Sequence, residues 1–363
     1  MSDRDPSITT PGFPLPTIPY RLLVIRAGAL GDTLMITPLL RALHSRNPNA
    51  EIDLVVSSLA APLLELNTHI KNLFSLRRRN WPLVLSPEKL GLIRRLRARN
   101  YDVAILLESA SRYRTLVEQA RPRRILSFAE APFDAGQHAI VNNMRVAGIR
   151  PGSAADLDME LPVSTDDLAA AERMLFDLPQ PRVGMHTGWG PLGRKEQQET
   201  RLRGWSHSNF VQLIRQVLDR FGGSVLLTGA PQDAEGAQSI CRSIASPRLR
   251  SIAGRTRIRE LAAVIQKLDL LVSVDSGPCH MAAALGTPLV VLWGPGRLEQ
   301  TRPVSSISPI RIVRRPVHCA PCQSTPLQKA CRRNLCMEGI SPADVFAEIE
   351  TLGFPDSRSR FPA

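Results

Sequence analysis

Long apolar runs are absent from this chain of 363 residues. No run reaches the roughly 18 apolar residues that a membrane-spanning helix needs, so we expect no such helix. Aromatic residues make up only 5% of the chain, and no base-stacking motif accompanies them, which argues against a nucleic-acid-binding protein. The stretch 1–19 has no apolar segment of the signal-peptide kind. We therefore expect a cytoplasmic protein with a disordered lead over that stretch.

Acidic residues are outnumbered by basic ones, and the formal net charge is +13. The basic residues concentrate in the segment 77–124, which contains twelve arginines and Lys89 against four acidic residues. One interpretation of this basic segment is a solvated surface. The other is a face that binds an anionic partner, either a phosphorylated substrate or an acidic membrane surface.

One segment of the C-terminal half has the pattern of a strand–helix–strand unit. Its apolar runs at 270–274 and 289–293 have the length of buried parallel strands, and the alanine-rich stretch 280–285 between them is typical of a helix. The turn before that helix contains Ser276 and Gly277, and backbone N–H groups at a helix N-terminus can hold a phosphate. A tight turn without a ligand is the alternative.

The rest of the chain alternates strands and helices in two halves. Strands are expected at 21–26, 51–57, 70–76, 102–107, 124–128, 182–186 and 224–228. Helices are expected at 33–45, 59–66, 87–99, 206–221, 233–244, 258–267 and 341–352. The segment 148–166 has the composition of a linker. This order predicts an α/β protein with an N-terminal domain at 20–165, a second domain at 166–340, and a closing helix and tail at 341–363.

Four sequence motifs occur together in this chain. They are GALGD at 28–32, a Thr187-Gly188 turn followed by RGW at 203–205, GAPQD at 229–233, and DSGPCHMAAALGTPLVVLWGP at 275–295. In this combination the chain resembles glycosyltransferase family 9, the bacterial heptosyltransferases of the lipopolysaccharide inner core, over about residues 21–350. The resemblance implies a GT-B fold, in which two Rossmann-like domains have parallel sheets that face a central cleft.

The resemblance also implies a reaction and a set of site residues. The second domain would bind most of the ADP-heptose donor, and the sugar would be transferred with inversion and without a metal. Asp32 matches the catalytic carboxylate of the family. The matched substrate-binding positions are Thr187 and Gly188 in the turn, Arg203 where the family often has lysine, Asp233 at the nucleoside, and Asp275, Ser276, Gly277 and His280 at the diphosphate and sugar.

Three of these residues allow further interpretation. Asp32 directly precedes a predicted helix, and aspartate is a favoured N-cap residue, so capping is the alternative to catalysis. For His280 the alternative is a buried, hydrogen-bonded histidine. Arg203 keeps the positive charge of lysine and adds bidentate phosphate geometry, which retains a role at the diphosphate.

Four of the 6 cysteines form a cluster near the C-terminus. Cys319, Cys322, Cys331 and Cys336 follow the spacing C-x2-C-x8-C-x4-C, and His318 precedes the first of them. This spacing is compatible with a structural zinc ion or an iron–sulfur cluster, and a reduced, packed loop is the alternative. For catalysis, the resemblance implies no cofactor.

The sequence therefore favours an enzyme that moves a heptose, or a related sugar, from a nucleotide donor to a lipopolysaccharide-core or related surface-glycan acceptor. The expected partners are ADP-heptose and an anionic acceptor, with a peripheral contact at the inner membrane surface and no nucleic acid. A non-catalytic nucleotide-sugar-binding protein of the same fold is the first alternative. An enzyme of the sugar-nucleotide epimerase type is the second.

Overall fold

The computed structural model describes residues 20–77, 86–188 and 202–353. The chain divides into two compact units, Met1–Leu157 and Asp158–Ala363. Each unit contains one parallel sheet and the helices that connect its strands, so the predicted α/β class is confirmed. Among the described residues, no helix is both long and apolar enough to cross a lipid bilayer.

The first unit has a largely buried strand in the middle of its sheet. Its strands are β1 Tyr20–Arg26, β2 Ala50–Ser57, β3 Asn72–Leu76, β4 Val103–Leu106 and β5 Arg124–Ser127. Its helices are α1 Leu30–Leu34, α2 Thr37–Arg46, α3 Ala61–Leu64, α4 Pro87–Ala98, α5 Ser111–Ala120 and α6 Ala139–Val146. In the described part of the unit the sheet order is β3-β2-β1-β4-β5. Leu22, Leu23, Val24 and Ile25 of β1 are fully buried, as expected for a parallel strand that is covered on both faces.

The second unit repeats this plan with a larger sheet. Its strands are β6 Arg182–His186, β7 Ser224–Thr228, β8 Leu249–Ser251, β9 Leu270–Val274, β10 Leu289–Trp293 and β11 Ile310–Arg314. Its helices are α7 Thr165–Leu175, α8 His207–Phe221, α9 Ala234–Ile244, α10 Ile258–Gln266, α11 Gly277–Leu285, α12 Leu298–Thr301, α13 Pro326–Ala330, α14 Leu335–Glu338 and α15 Pro342–Glu350. Within the described residues the sheet order is β11-β10-β9-β6-β7-β8, and all pairs are parallel.

The predicted helix at 33–45 is two helices in the structure. α1 ends at Leu34, and α2 begins at Thr37 with Pro38 in its first turn. A proline disrupts a continuous helix because it lacks an amide hydrogen and its ring clashes with the carbonyl four residues earlier, here that of Leu34. The Thr37 hydroxyl donates to the same carbonyl at 2.8 Å, which satisfies that oxygen at the break.

Some elements lie where the sequence analysis predicts none. α5 buries Tyr113, Leu116, Val117 and Ala120, a helical spacing that the charged residues between them obscure. α7 begins inside the predicted linker 148–166 because the Ser164 hydroxyl caps it by accepting from the Asp167 amide. β8 and β11 are edge strands; β8 has only three residues, and the apolar residues of β11 are interspersed with arginines. The predicted domain bounds and the roles given to the domains stay predictions.

A buried carboxylate connects three parts of the first unit. Asp53 of β2 is fully buried. Its Oδ2 accepts from Arg99 Nε at 2.9 Å and from the Tyr101 hydroxyl at 2.7 Å, and its Oδ1 accepts from Asn72 Nδ2 at 2.8 Å. Burial, followed by the hydrogen bond to Asp53, raises the pKa of Tyr101, so the phenol remains a donor. Loss of the shared acceptor would leave the buried Tyr101 hydroxyl without a counterpart and would leave Arg99 with Glu51 as its carboxylate partner.

Asp53→Ala should destabilise the protein by about 3 kcal/mol, because Arg99 and Tyr101 lose their shared acceptor in a buried position. The measurement is urea unfolding followed by circular dichroism. The matched control is Glu118→Ala, which removes a carboxylate from an exposed ion pair with Arg114 and should cost about 0.5 kcal/mol or less. Equal unfolding midpoints for the two variants would contradict this account of Asp53.

Candidate functional site

The predicted site residues of the second unit lie where its strands end. β9, β6 and β7 are neighbours in the sheet, and their carboxyl ends lie at one edge because all three are parallel. Thr187 and Gly188 follow β6, Asp233 follows β7 after a short turn, and Asp275 follows β9. Open α/β sheets bind their ligands at this edge. The fold thus brings together positions that are far apart in the sequence.

Arg203 is held against Asp275 at this edge. Its Nη1 donates to the Asp275 carbonyl at 3.3 Å and lies 3.5 Å from the carboxylate Oδ2. The Asp275 side chain is 7% exposed, whereas that of Arg203 is 25% exposed. Two residues along the chain, Trp205 is buried and its indole N–H donates to the Ile340 carbonyl at 2.8 Å. The fixed indole restricts the position of Arg203, whose guanidinium keeps an accessible part for an anion.

The turn after β9 leads into the N-terminus of α11. Ser276 is the N-cap residue, and in the described structure its hydroxyl contacts Ser273 Oγ at 3.1 Å instead of capping a helix amide. Gly277 and Pro278 form the start of the helix. The helix dipole places partial positive charge at this end, next to the guanidinium of Arg203. A helix N-terminus with an adjacent arginine is suited to binding a phosphate or diphosphate.

Three side chains of metal-binding type lie together in this turn. Asp275, Cys279 and His280 are buried, and one ligand atom of each lies within 4.8 Å of the other two. The Cys279 thiol donates to the Ser276 carbonyl at 2.8 Å. Burial, followed by the negative charge of Asp275, raises the pKa of Cys279 and so disfavours the thiolate that a metal requires. Because Arg203 also supplies positive charge to Asp275, we interpret this group as a packed polar cluster.

Thr187 and Asp233 line a pocket of about 430 Å³. The other lining residues are His207, Gln232, Glu235, Gly236, Ser239 and Arg242. The volume is in the range of small-molecule pockets. Asp233 Oδ2 accepts from the Ala230 amide at 2.7 Å, which fixes its carboxylate. The sequence analysis missed His207 and Arg242, because they come from α8 and α9 and belong to no motif.

Gly188 is packed closely against its neighbours. A Cβ atom there would lie 2.5 Å from His186 Nε2 and 3.0 Å from Asp233 Oδ2, so a side chain would displace one of them. His186 is buried, and its Nδ1 lies 2.9 Å from Thr228 Oγ1. Burial lowers the pKa of His186 to about 4, so the ring is neutral near pH 7.

Asp32 lies in the first unit, within the first turn of α1. Asp32 is not the N-cap residue itself, because α1 begins at Leu30, but it is the third residue of the helix and its carboxylate caps the Ala29 amide. Its Oδ2 accepts from the Ala29 amide at 3.1 Å, and its Oδ1 lies 2.9 Å from Arg26 Nη2. The side chain is 33% exposed, so the carboxylate is both fixed and accessible.

The clustered cysteines are close enough for their neighbours to affect the ionisation of Cys322 and Cys336. Burial, followed by the negative charges of Cys319 and Cys331, raises the pKa of Cys322. Burial, followed by the negative charges of Cys322, Cys319 and Cys331, raises the pKa of Cys336 to about 11. All four are free cysteines. Within the described residues, no three of their sulfurs lie within 4.8 Å of one another. Four thiolates on one zinc ion require sulfur separations of about 3.8 Å, so metal binding needs a tighter loop than this one.

Many arginines of the basic segment make contacts within the first unit. Three of them form ion pairs: Arg99 with Glu51 and Asp53, Arg114 with Glu118 and Glu130, and Arg123 with Asp102. Arg97 donates to the Gln119 carbonyl. Arg95 lies over the ring of Phe74, and Arg112 lies over the ring of Tyr113. Positions 78–85 of the segment lie outside the described residues. Arg94, Arg95 and Arg97 of α4 are nevertheless exposed, so α4 offers positive charge to solvent.

Known proteins resemble this chain in sequence and in structure. The sequence profile of glycosyltransferase family 9 (heptosyltransferase) matches residues 191–331. Lipopolysaccharide heptosyltransferase 2 of Salmonella typhimurium is 26% identical over 317 residues, which cover 78% of this chain and 86% of that protein.

Two solved structures extend the comparison to the fold. The crystal structure of the glycosyl transferase family 9 from Veillonella parvula has a TM-score of 0.77 at 20% identity and covers 92% of this chain and 97% of that chain. The structure of E. coli ADP-heptose lipopolysaccharide heptosyltransferase II has a TM-score of 0.69 at 23% identity and covers 92% of this chain and 98% of that chain. The predicted GT-B fold with two Rossmann-like domains is therefore confirmed.

Acid should destabilise the second unit through His186. Its pKa falls from 6.5 to about 4 on folding, so its contribution to stability is complete above pH 6.5 and is lost as the pH falls through 4. The loss amounts to about 3 kcal/mol. His186→Gln should remove this part of the acid sensitivity, because an amide does not titrate. The measurement is the melting temperature as a function of pH, with His44→Gln in the first unit as control. An equal fall of the melting temperature with pH in both variants would contradict this role of His186.

Proposed function

Because this chain belongs to glycosyltransferase family 9, we propose that it transfers a heptose, or a related sugar, from ADP-heptose to an acceptor of the lipopolysaccharide inner core or a related surface glycan. The observation that carries this proposal is the pairing of Arg203 with Asp275 beside the N-terminus of α11. Transfer from a nucleotide sugar releases a diphosphate, and a guanidinium with helix amides stabilises such a leaving group.

The donor has a proposed position along the edge of the second sheet. Its nucleoside occupies the pocket that Thr187 and Asp233 line, where the Asp233 carboxylate accepts from ribose hydroxyls. Glycine at 188 leaves room for His186 and for the Asp233 carboxylate, which a side chain there would displace. The diphosphate lies against Arg203 and the Ser276–Gly277 turn, and His280 of α11 serves the sugar end.

The proposed reaction is a single displacement. The acceptor oxygen forms a bond to the anomeric carbon as the bond from that carbon to the diphosphate oxygen breaks, so the configuration inverts. Asp32 takes the acceptor proton as general base. Arg203 and the N-terminus of α11 balance the negative charge of the departing ADP. On this proposal the chain's own groups supply the charge, and the transfer is metal-independent.

The acceptor has a proposed position on the first unit, at the exposed arginines of α4. Arg94, Arg95 and Arg97 present positive charge to solvent, and an inner-core acceptor bears phosphates and carboxylates. The same charge suits the anionic inner face of the cytoplasmic membrane, to which the acceptor is attached. These features support a cytoplasmic enzyme that contacts the membrane surface peripherally.

Asp32→Asn should lower kcat by about a hundredfold or more, which is the usual scale for loss of a general base. The amide keeps the size of the side chain and can still accept from the Ala29 amide, so donor affinity and melting temperature should change little. Asp32→Ala is the companion variant. If Asp32 only stabilises α1, this truncation should lower the stability of the protein by about 1 kcal/mol. Nearly full turnover by Asp32→Asn would contradict the role of general base.

A second proposal concerns the cysteine cluster, which we infer holds a structural metal ion or an iron–sulfur cluster. Its support is the spacing of Cys319, Cys322, Cys331 and Cys336 and the mutual influence of their thiols. Metal binding would deprotonate the thiols and draw the sulfurs together, which offsets the burial that raises the pKa of Cys322 and Cys336. Its role would be to fix the loop, not to act on the sugar.

Metal analysis of the purified protein should find close to one zinc ion, or iron with visible absorption, per chain. Cys322→Ser should lower the metal content and the melting temperature more than it lowers the transfer rate, because the ligand set is incomplete. Cys241→Ser is the matched control, since Cys241 lies on α9 outside the cluster and should change neither quantity. Metal-free, fully folded protein with four titratable cluster thiols would refute the proposal.

A further inference from the structure

A second carboxylate lies near Asp32 at the carboxyl edge of the first sheet. β1 and β4 pair in parallel, and the Leu107 amide donates to the Ile25 carbonyl at 3.0 Å. The residues that follow the two strands therefore lie side by side. Arg26 ends β1, and Glu108 follows shortly after β4.

The guanidinium of Arg26 is held at this edge by Leu107, which follows β4, and by Asp32 on α1. Its Nη1 donates to the Leu107 carbonyl, and its Nη2 lies 2.9 Å from Asp32 Oδ1. Its Nε is buried and makes no hydrogen bond in the part of the chain that the structure describes. Arg26 thus carries a largely buried positive charge, and one end of its guanidinium forms an ion pair with Asp32.

Glu108 carries the opposite charge in the same place. Its carboxylate accepts from the Ala27 amide, while its Oε1 is buried and has no hydrogen-bond partner among the described residues. An unsatisfied buried carboxylate oxygen is costly, so local hydrogen bonding alone does not explain its position. Its interactions are mainly electrostatic. They link it to Arg26 on β1, to Asp32 on α1 and to Arg112 on α5.

The titration of Glu108 reports this coupling. Burial, as the largest cause, and the negative charge of Asp32 raise the pKa of Glu108. The positive charges of Arg26 and Arg112 and the hydrogen bond from the Ala27 amide lower it, with a net rise. Arg26 therefore interacts with two carboxylates, through an ion pair with Asp32 and through the longer-range attraction of Glu108.

We propose that Glu108 is a positioning residue for Asp32: it shares the charge of Arg26 and so keeps the Asp32 carboxylate a strong enough base to take the acceptor proton. A guanidinium paired with one carboxylate stabilises the anion and weakens it as a base. The negative charge of a second carboxylate near the same guanidinium offsets that effect, while the ion pair still fixes the Asp32 side chain. The inference rests on the proposed role of Asp32 as general base.

The test is the pH dependence of kcat/KM for Glu108→Gln and Arg26→Gln. Glu108→Gln removes the competing anion, so Asp32 stays ionised to lower pH; the acid limb should move down by about one pH unit, and the plateau should fall severalfold. Arg26→Gln removes the cation and should move the limb in the opposite direction. Glu108→Asp keeps the charge and should restore the wild-type limb. Glu118→Gln, on an exposed ion pair of α5, is the control and should leave it unchanged.

Carboxyl ¹³C NMR provides a readout that does not depend on turnover. The Asp32 signal, assigned by its loss in Asp32→Asn, should titrate at lower pH in Glu108→Gln than in the wild type. If Asp32→Asn keeps full activity, the base role is wrong, and the NMR titration alone then decides whether the coupling exists. If Asp32→Asn is inactive but neither the acid limb nor the NMR midpoint moves in Glu108→Gln, the inference about Glu108 is overturned. If Glu108→Gln fails to fold, Arg26→Gln decides instead: an acid limb of kcat/KM at the same pH as in the wild type would overturn the inference.

Discussion

Burial of the central strands on both faces governs where this protein can place charged and polar side chains. Every residue of β9 and β10 is buried. A polar side chain within such a strand loses water and needs an internal partner. Ser273 of β9 shows this constraint, since its hydroxyl donates to the Val274 carbonyl at 2.8 Å. The charged residues of the candidate site accordingly come after strands, as Asp275, Asp233 and Asp32 do. Asp53 inside β2 is buried, and side chains of the same unit supply its hydrogen bonds.

Each unit pairs one arginine with one aspartate at such a point, but the two pairs differ in exposure. Asp32 is 33% exposed beside Arg26, whereas Asp275 is 7% exposed beside Arg203. An accessible carboxylate can exchange a proton with a substrate. A buried one next to a phosphate site would repel the phosphate, and it is better suited to orienting its arginine. On the proposed mechanism this difference in burial divides the work, with proton transfer at Asp32 and anion binding at Arg203.

Local sequence patterns predicted the strands of the sheets better than the contacts of the site. The apolar runs at 270–274 and 289–293 coincide with β9 and β10, because buried parallel strands leave a continuous apolar signal. The contact between Arg203 and Asp275 joins residues 72 positions apart, and no local pattern specifies it.

Other differences between prediction and structure also have physical causes. The pocket residues His207 and Arg242 come from helices whose surface positions carry no motif. Pro38 indicates the break between α1 and α2, but the helical spacing of the apolar residues at 33–45 led to the prediction of one continuous helix. The spacing of the cysteines predicts a shared ligand but does not fix the distances between their sulfurs.

The most direct test of this account is transfer itself. The full-length protein, incubated with ADP-heptose and an inner-core acceptor that lacks the terminal heptose, should release one ADP for each heptose transferred. NMR of the product should show the anomeric configuration opposite to that of the donor, as a single displacement assisted by Asp32 and Arg203 requires. Tight binding of ADP-heptose without any transfer would contradict the account and would identify the chain as a nucleotide-sugar-binding protein.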